Sequence, residues 1–237
     1  MELLAFGDTG YGDELFYGAL TTLKLAVFGY ALAFLFGTVL GVIALKARGP
    51  RWWFFRAYAS IFTGVPSLLV IFLFYFGGAE IVRGLLSPLG LKLRLDITPF
   101  SAGVAALSLV YAAYLGDLIR GAIANVPKGQ FEACDALSVP RRHLWLRVIL
   151  PQAARIALPG LVNIWIVLLK DTPLVSLVGL LDVIAQAKVA AGSTKQPFVF
   201  YISALLFFVL ISSLTMPLVR RLAERLDRGQ RRAEGRA

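Results

Sequence analysis

The sequence predicts an all-α integral membrane protein, a single helical bundle with five transmembrane helices, and three observations carry that reading. The 237 residues are 58% hydrophobic and only 16% charged, with a mean hydropathy of +0.75, far more apolar than a water-soluble domain. Five runs with few or no charges each reach the length needed to cross a hydrocarbon core, about 20 apolar residues. The Lys and Arg residues between those runs alternate in density from one loop to the next, as the positive-inside rule requires of a multi-pass protein. Cys134 is the one cysteine, which excludes an internal disulfide and a multi-Cys metal site. His143 is the one histidine, so a His-based metal or catalytic constellation has no material. Glu2, Asp8, Asp13 and Glu14 precede the first basic residue, Lys24. That is the reverse of a cleaved signal peptide, so the first apolar run is expected to stay in the mature protein.

The runs are read in order. The first covers residues 15–45, with Lys24 near its start snorkelling outward; Gly37 and Gly41 stand at a GxxxG spacing, read either as a close helix contact or as ordinary glycine enrichment. The second, 57–79, is uncharged and interrupted by Pro66. The third, 97–116, is uncharged. The fourth, 156–181, is broken by Lys170 and Asp171 and then by Pro173. The fifth, 198–219, leads into an Arg-rich tail, expected to be a solvated helix against lipid headgroups with no nucleic-acid role. The whole chain, 1–237, reads as one transmembrane domain.

Five spans put the termini on opposite sides. Assigning loops alternately, one side collects Lys46, Arg48, Arg51 and Arg56, then Arg120, Lys128, Arg141, Arg142, Arg147 and Arg155, then the seven arginines from Arg220 to Arg236. That is 17 basic residues, against 5 on the other side (Arg83, Lys92, Arg94, Lys188 and Lys195), with Lys24 and Lys170 inside spans. The N-terminus is therefore expected outside and the C-terminus in the cytoplasm. Trp52 and Trp53 fit an aromatic belt at the cytoplasmic edge, and Asp117 with Arg120 fits a structural helix pair.

The charged stretch 126–152 falls on the cytoplasmic side. Pro127 can begin a helix, residues 131–137 are helix-compatible, and Ser138, Val139 and Pro140 end it, because proline disfavours helical geometry in the residue before it. A second short helix can start at Pro140, with Leu144 and Val148, and Trp145 and Ile149, paired at i, i+4; Pro151 marks the next bend. One apolar ridge with a basic flank fits either a groove in a soluble partner or the surface of anionic lipid.

Within this stretch, Glu132, Ala133 and Cys134, then Asp135, Ala136, Leu137 and Ser138, and after a gap Ile149, Leu150 and Pro151, resemble the EAA loop of bacterial ABC importer permeases. Cys134 replaces the second alanine and Ser138 the glycine; both are small, but a turn built for glycine would be strained. Other segments agree: 18–23 (GALTTL), 64–66 (GVP), 120–123 (RGAI), 126–130 (VPKGQ), 158–160 (LPG) and 170–174 (KDTPL) resemble the polar amino acid permease family, in its histidine, lysine/arginine/ornithine and opine subgroup. Thr63 stands where that family often has arginine ahead of the Gly-x-Pro.

The resemblance implies a subunit of an importer in the bacterial inner membrane. A second permease subunit, a paralogue or another copy, would complete the path, two ATP-binding cassette subunits would supply power, and an external solute-binding protein would deliver a polar, basic or opine amino acid. Gln130, Phe131, Glu132, Ala133, Asp135, Ala136 and Ser138 would form the ATPase-coupling segment, with Glu132 making a polar contact. The chain has no G-x-x-x-x-G-K-[ST] stretch and no Gly-Lys dipeptide, so ATP and Mg are expected on the partner and no cofactor on this chain.

Independently of the resemblance, Lys170 and Asp171 sit roughly 20 Å along the fourth span at 1.5 Å per residue. Charges at that depth are a functional hypothesis by default. Pro173 supplies a break that can free backbone groups to line a path. A zwitterionic amino acid needs one partner of each charge, and this pair supplies both, although neighbours on a helix point about 100° apart. Thr172, with Thr63 and Ser67 flanking the Pro66 kink, could add hydroxyls. The same charges could instead only hold the bundle together. A self-contained secondary transporter or a structural subunit of another complex also stays open on the residues alone.

Overall fold

With no water to exclude between them, apolar helices in lipid associate where small residues let backbones approach, and that locates the centre of this bundle. In the structure, a computed structural model, residues 2–7, 10–45, 47–86 and 96–234 are described; Asp8, Lys46, Lys92, Arg94 and Arg236 of the charge pattern lie outside them. Helix α1 (Gly12–Leu45) lies along α4 (Pro99–Ala124). A Cβ on Gly37 would stand 2.7 Å from Leu115 Cβ, and one on Gly41 2.6 Å from the Gly116 carbonyl oxygen, so the GxxxG spacing is a packing motif. Helix α4 is also the most buried, from Ala102 to Ile123, and its start is fixed by a reciprocal Thr98–Ser101 capping box with Pro99 in the first turn. It runs eight residues beyond the expected end of span three.

The second span is not one helix. It divides into α2 (Pro50–Gly64) and α3 (Ser67–Leu86), bent by 100°. The reason is local: Pro66 forces Val65 out of helical geometry, and Val65 is extended at φ −94°, ψ 133°. Both halves pack on α4 or the turn before it. Phe55 meets Gly116, the Ser67 hydroxyl reaches the same carboxylate as the Tyr111 hydroxyl, and a Cβ on Gly78 would touch Ile97. Together the two halves are long and apolar enough for one interrupted span.

After α4 the chain forms α5 (Lys128–Ala136) and α6 (Arg141–His143). The expected second short helix does not end at Pro151. A π-helical segment, Leu144–Ile149, carries α6 directly into α7 (Leu150–Asp171), with Pro151 in its first turn. The π-turn absorbs one extra residue just before the proline, whose missing N–H would leave a gap in a regular ladder. Beyond Asp171 the helix tightens into a 3-10 segment, Thr172–Val178, with Pro173 in its first turn, and stops at Gly179, φ 92°. Two further helices follow, α8 (Val183–Thr194), which the hydropathy pattern did not reveal, and α9 (Pro197–Glu234). Among the described residues there is no strand.

Three clusters fill the interior. The central one joins Leu25, Ile71, Leu107, Tyr111, Leu168 and Val175 from α1, α3, α4, α7 and the 3-10 segment. A second, at one end, packs Leu45, Ile123 and Ala153 with Phe131, Cys134 and Ile149 of the charged loop. A third, at the other end, packs α8 with Leu3, Tyr11, Leu15 and the start of α9. Among the described residues four helices are long and apolar enough to cross a membrane, and the bent α2–α3 pair, counted as one, makes five. Outside, α1 exposes Phe28, Leu35, Phe36 and Ile43, and α9 exposes Leu205, Leu206, Val209 and Leu210, a surface that lipid or another subunit must cover.

Candidate functional site

Two interruptions of regular helix, the Val65–Pro66 break and the passage from α7 into the 3-10 segment at Asp171, meet midway along the bundle. Asp171, the last residue of α7, is held there by two hydroxyls: Ser67 Oγ donates to Asp171 Oδ2 at 2.9 Å, and Tyr111 Oη donates to the same oxygen at 2.8 Å. Ser67 can reach because it opens α3 immediately past the bend; Tyr111 reaches from the centre of α4, where it is 3% exposed. The ion pairs found among the described residues, Arg83–Glu80 and Arg120–Asp117, do not include Asp171. The result is a partly buried carboxylate, ordered by neutral donors and in no ion pair among the described residues, which favours a cationic guest.

Lys170 points elsewhere. It lines a groove of about 650 Å³ with Pro173, Ile184, Tyr201, Phe208 and Ser212, between the end of α7 and the α8–α9 pair. Lys170 and Asp171 therefore do not form the two jaws of one clamp, as the 100° separation of helix neighbours implies. Thr172 is fully buried and its hydroxyl donates to the Leu169 carbonyl at 2.8 Å; Thr63 likewise donates to Ala59 O at 2.8 Å. Both hydroxyls serve their own backbone. Of the candidate path residues, the structure brings together Ser67 and Asp171 and adds Tyr111, which sequence reasoning missed. Its signal was there: a tyrosine deep in an apolar span, away from the interfacial belts, needs a partner for its hydroxyl.

The charged loop has a defined inner and outer face. Phe131 packs edge-on against Trp145, with ring centroids 6.5 Å apart, and Cys134 is 9% exposed. Glu132, Ala133, Asp135, Ala136 and Ser138 are exposed, and Leu137 is 77% exposed. Gln130 turns back to Gln152 of α7, which donates through Nε2 to its Oε1 at 3.2 Å. The C-terminus of α5 is a Schellman motif: Val139 N–H bonds Cys134 O at 2.9 Å and Ser138 N–H bonds Asp135 O at 3.1 Å. Ser138 takes the left-handed conformation, φ 53°, that this motif usually gives to glycine. The serine departure thus falls where a side chain is strained. Leu137, which closes the helix expected over 131–137, is the loop's most exposed large apolar residue.

A bundle of interrupted helices meeting at a carboxylate between its two ends, with a structured loop presented at one end, is the arrangement of a membrane transport subunit. The chain belongs to the family described as binding-protein-dependent transport system inner membrane component, whose model matches residues 25–229. It is therefore a multi-pass protein of the inner membrane. It is 41% identical to a nopaline transport system permease protein of Agrobacterium fabrum, over 91% of this chain and 92% of that protein. It is 36% identical to an arginine ABC transporter permease protein of Escherichia coli K12, over 84% and 91% respectively. Among solved structures it superposes on a crystal structure of an amino acid ABC transporter with histidines with a TM-score of 0.76, at 28% identity, over 91% of this chain and 95% of that one.

Proposed function

We propose that this chain is the membrane-spanning subunit of an ATP-driven importer for cationic amino acids or arginine-derived opines, one of a pair of permease subunits served by two ATP-binding cassette subunits and an external solute-binding protein. Permease function for amino acids or opines is what its relatives are named for. The observation that carries the cationic preference is Asp171, an intramembrane carboxylate oriented by Ser67 and Tyr111 and in no ion pair among the described residues. Arginine, octopine and nopaline share a guanidinium, which stays charged at any physiological pH and matches a carboxylate in shape. Lys170, on another side of the same helix end, is available to a substrate carboxylate approaching from the α9 side. Hydrolysis and its Mg belong to the partner ATPase, the N-terminus faces outward, and the chain itself performs no chemistry.

The test is uptake in vesicles holding the assembled importer, with arginine, lysine, glutamate and leucine as competing solutes. Accumulation is expected to require ATP and to favour the cations. Asp171→Asn is expected to lower arginine uptake at least tenfold, since a hydrogen bond to a charged group is worth about 1.5–3 kcal/mol, while assembly with the ATPase is unchanged. Equal loss of uptake and assembly would make Asp171 a structural residue; uptake without any ATPase would make the protein a secondary transporter.

A further inference from the structure

At the loop end of the bundle, where α1 leaves and α2 begins, two adjoining cavities of about 430 Å³ each share Trp52 and Arg120 as a common wall. Arg56 and Asp117 line one; Arg48 and Ala124 line the other. Three guanidiniums thus face one carboxylate. Asp117 engages Arg120 only through a long contact, 3.4 Å, to a single terminal nitrogen. The Arg120 side chain remains 32% exposed, and neither ion pair among the described residues involves Arg48 or Arg56. Arg120 is held in place by Trp52: its guanidinium carbon lies 5.3 Å from the centroid of that ring. Three guanidiniums around one weakly engaged carboxylate make a pocket of net positive charge, whose remaining donors suit an anion with several oxygens.

We propose that this pocket binds the phosphate of an anionic phospholipid headgroup. The exposed aromatic face of α2 favours lipid over a soluble partner. That face exposes Trp53 (75%) and Phe54 (68%), the aromatic pair of a membrane interface, so the pocket opens at the level where phosphates lie. Arginine pockets between helices on the cytoplasmic side suit such headgroups, and guanidinium matches phosphate in two-pronged geometry. The lipid would pin the start of the bent second span against α4, next to Thr63 and the Pro66 break.

Trp52 is its own reporter. The chain has four tryptophans; with Trp53, Trp145 and Trp165 changed to Phe, quenching of Trp52 by brominated phosphatidylglycerol is compared with quenching by brominated phosphatidylcholine in vesicles holding the full chain. The anionic lipid is expected to be preferred. The preference should fall about fivefold on Arg48→Gln or Arg56→Gln, the factor expected per basic residue at a membrane surface, and vanish on Arg120→Gln. If the three-Phe chain does not fold, native mass spectrometry of the unmodified chain reads the same variants as loss of one retained phosphatidylglycerol. Equal quenching by both lipids, or a preference unchanged by the Gln variants, overturns the proposal. So does displacement of the lipid by excess inorganic phosphate, which marks a soluble-anion site, or by the ATPase, which marks a protein interface.

Discussion

Ser138 shows how much one atom can matter at a helix end. Its φ of 53° completes the Schellman motif of α5, and a Cβ in that region costs about 1–2 kcal/mol that glycine avoids. Ser138→Gly is therefore expected to stabilise the protein by about 1 kcal/mol, read as a higher unfolding temperature in detergent; an unchanged or lower temperature would show that the serine is relaxed. Asp182, between the fourth and fifth spans, is a second residue with a sharp signature. It caps α8 by accepting from Ala185 N at 2.8 Å through Oδ1, while Oδ2 is buried without a partner. Burial pushes its pKa up to about 6, from an ordinary 3.8. The folded state then holds this proton more tightly than the unfolded chain, so the group's contribution to stability is full below pH 3.8 and is lost as pH rises through 6. The loss is on the order of 3 kcal/mol at most. Asp182→Asn keeps the capping oxygen and removes the charge. It should raise stability at pH 7.5, make no difference near pH 4, and so flatten that part of the profile; superimposable profiles would refute the burial argument. Neither residue's geometry was readable in advance, although the strain at Ser138 was foreseeable from glycine's usual place there.

Helices report the same division between local and distant causes. Runs long and apolar enough to span were legible because the bilayer sets a length that sequence can be measured against, and the Pro66 and Pro173 breaks were legible because proline acts on its own neighbours. The 100° angle at Val65, the π-turn before Pro151 and helix α8 were not. An angle depends on what each half packs against, and α8 buries a stripe of small residues, Ala187, Ala190 and Ala191, that no hydropathy window registers. The contact between α1 and α4 tests how tight this packing is. Gly41→Ala would drive a methyl onto the backbone of Gly116, which cannot move aside, and is expected to cost about 1–3 kcal/mol. Gly121→Ala on α4, with nothing within 4 Å, should be neutral or gain up to about 1 kcal/mol from helix propensity. If both substitutions behave alike in a thermal unfolding assay, the close approach is not what holds the pair.

For the whole molecule, the question is how a loop at one end reports to a carboxylate halfway along. The path is continuous and short: α5 packs through Phe131 and Cys134 on the π-segment, that segment is the beginning of α7, and α7 ends at Asp171. Motion of the loop would therefore be transmitted along one continuous helical rod, through the π-turn and past Pro159, to the residue proposed to meet the substrate. The motif that made the loop recognisable lies mostly on its outer face, while the residues that fasten it to the rod lie on its inner face, and this separates two experiments. Leu137→Asp and Glu132→Ala change exposed positions. They are expected to leave the unfolding temperature unchanged and to lower copurification of the ATPase, about tenfold or more for Leu137, since burying a leucine is worth about 1.5–3 kcal/mol. Phe131→Ala removes an inner contact and should lower the unfolding temperature as well. Retention of the ATPase by both outer-face variants, with substrate-stimulated uptake intact, would show that α5 is not the docking element. Loss with Leu137→Asp alone would assign the energy of docking to the apolar tip and leave Glu132 to orientation.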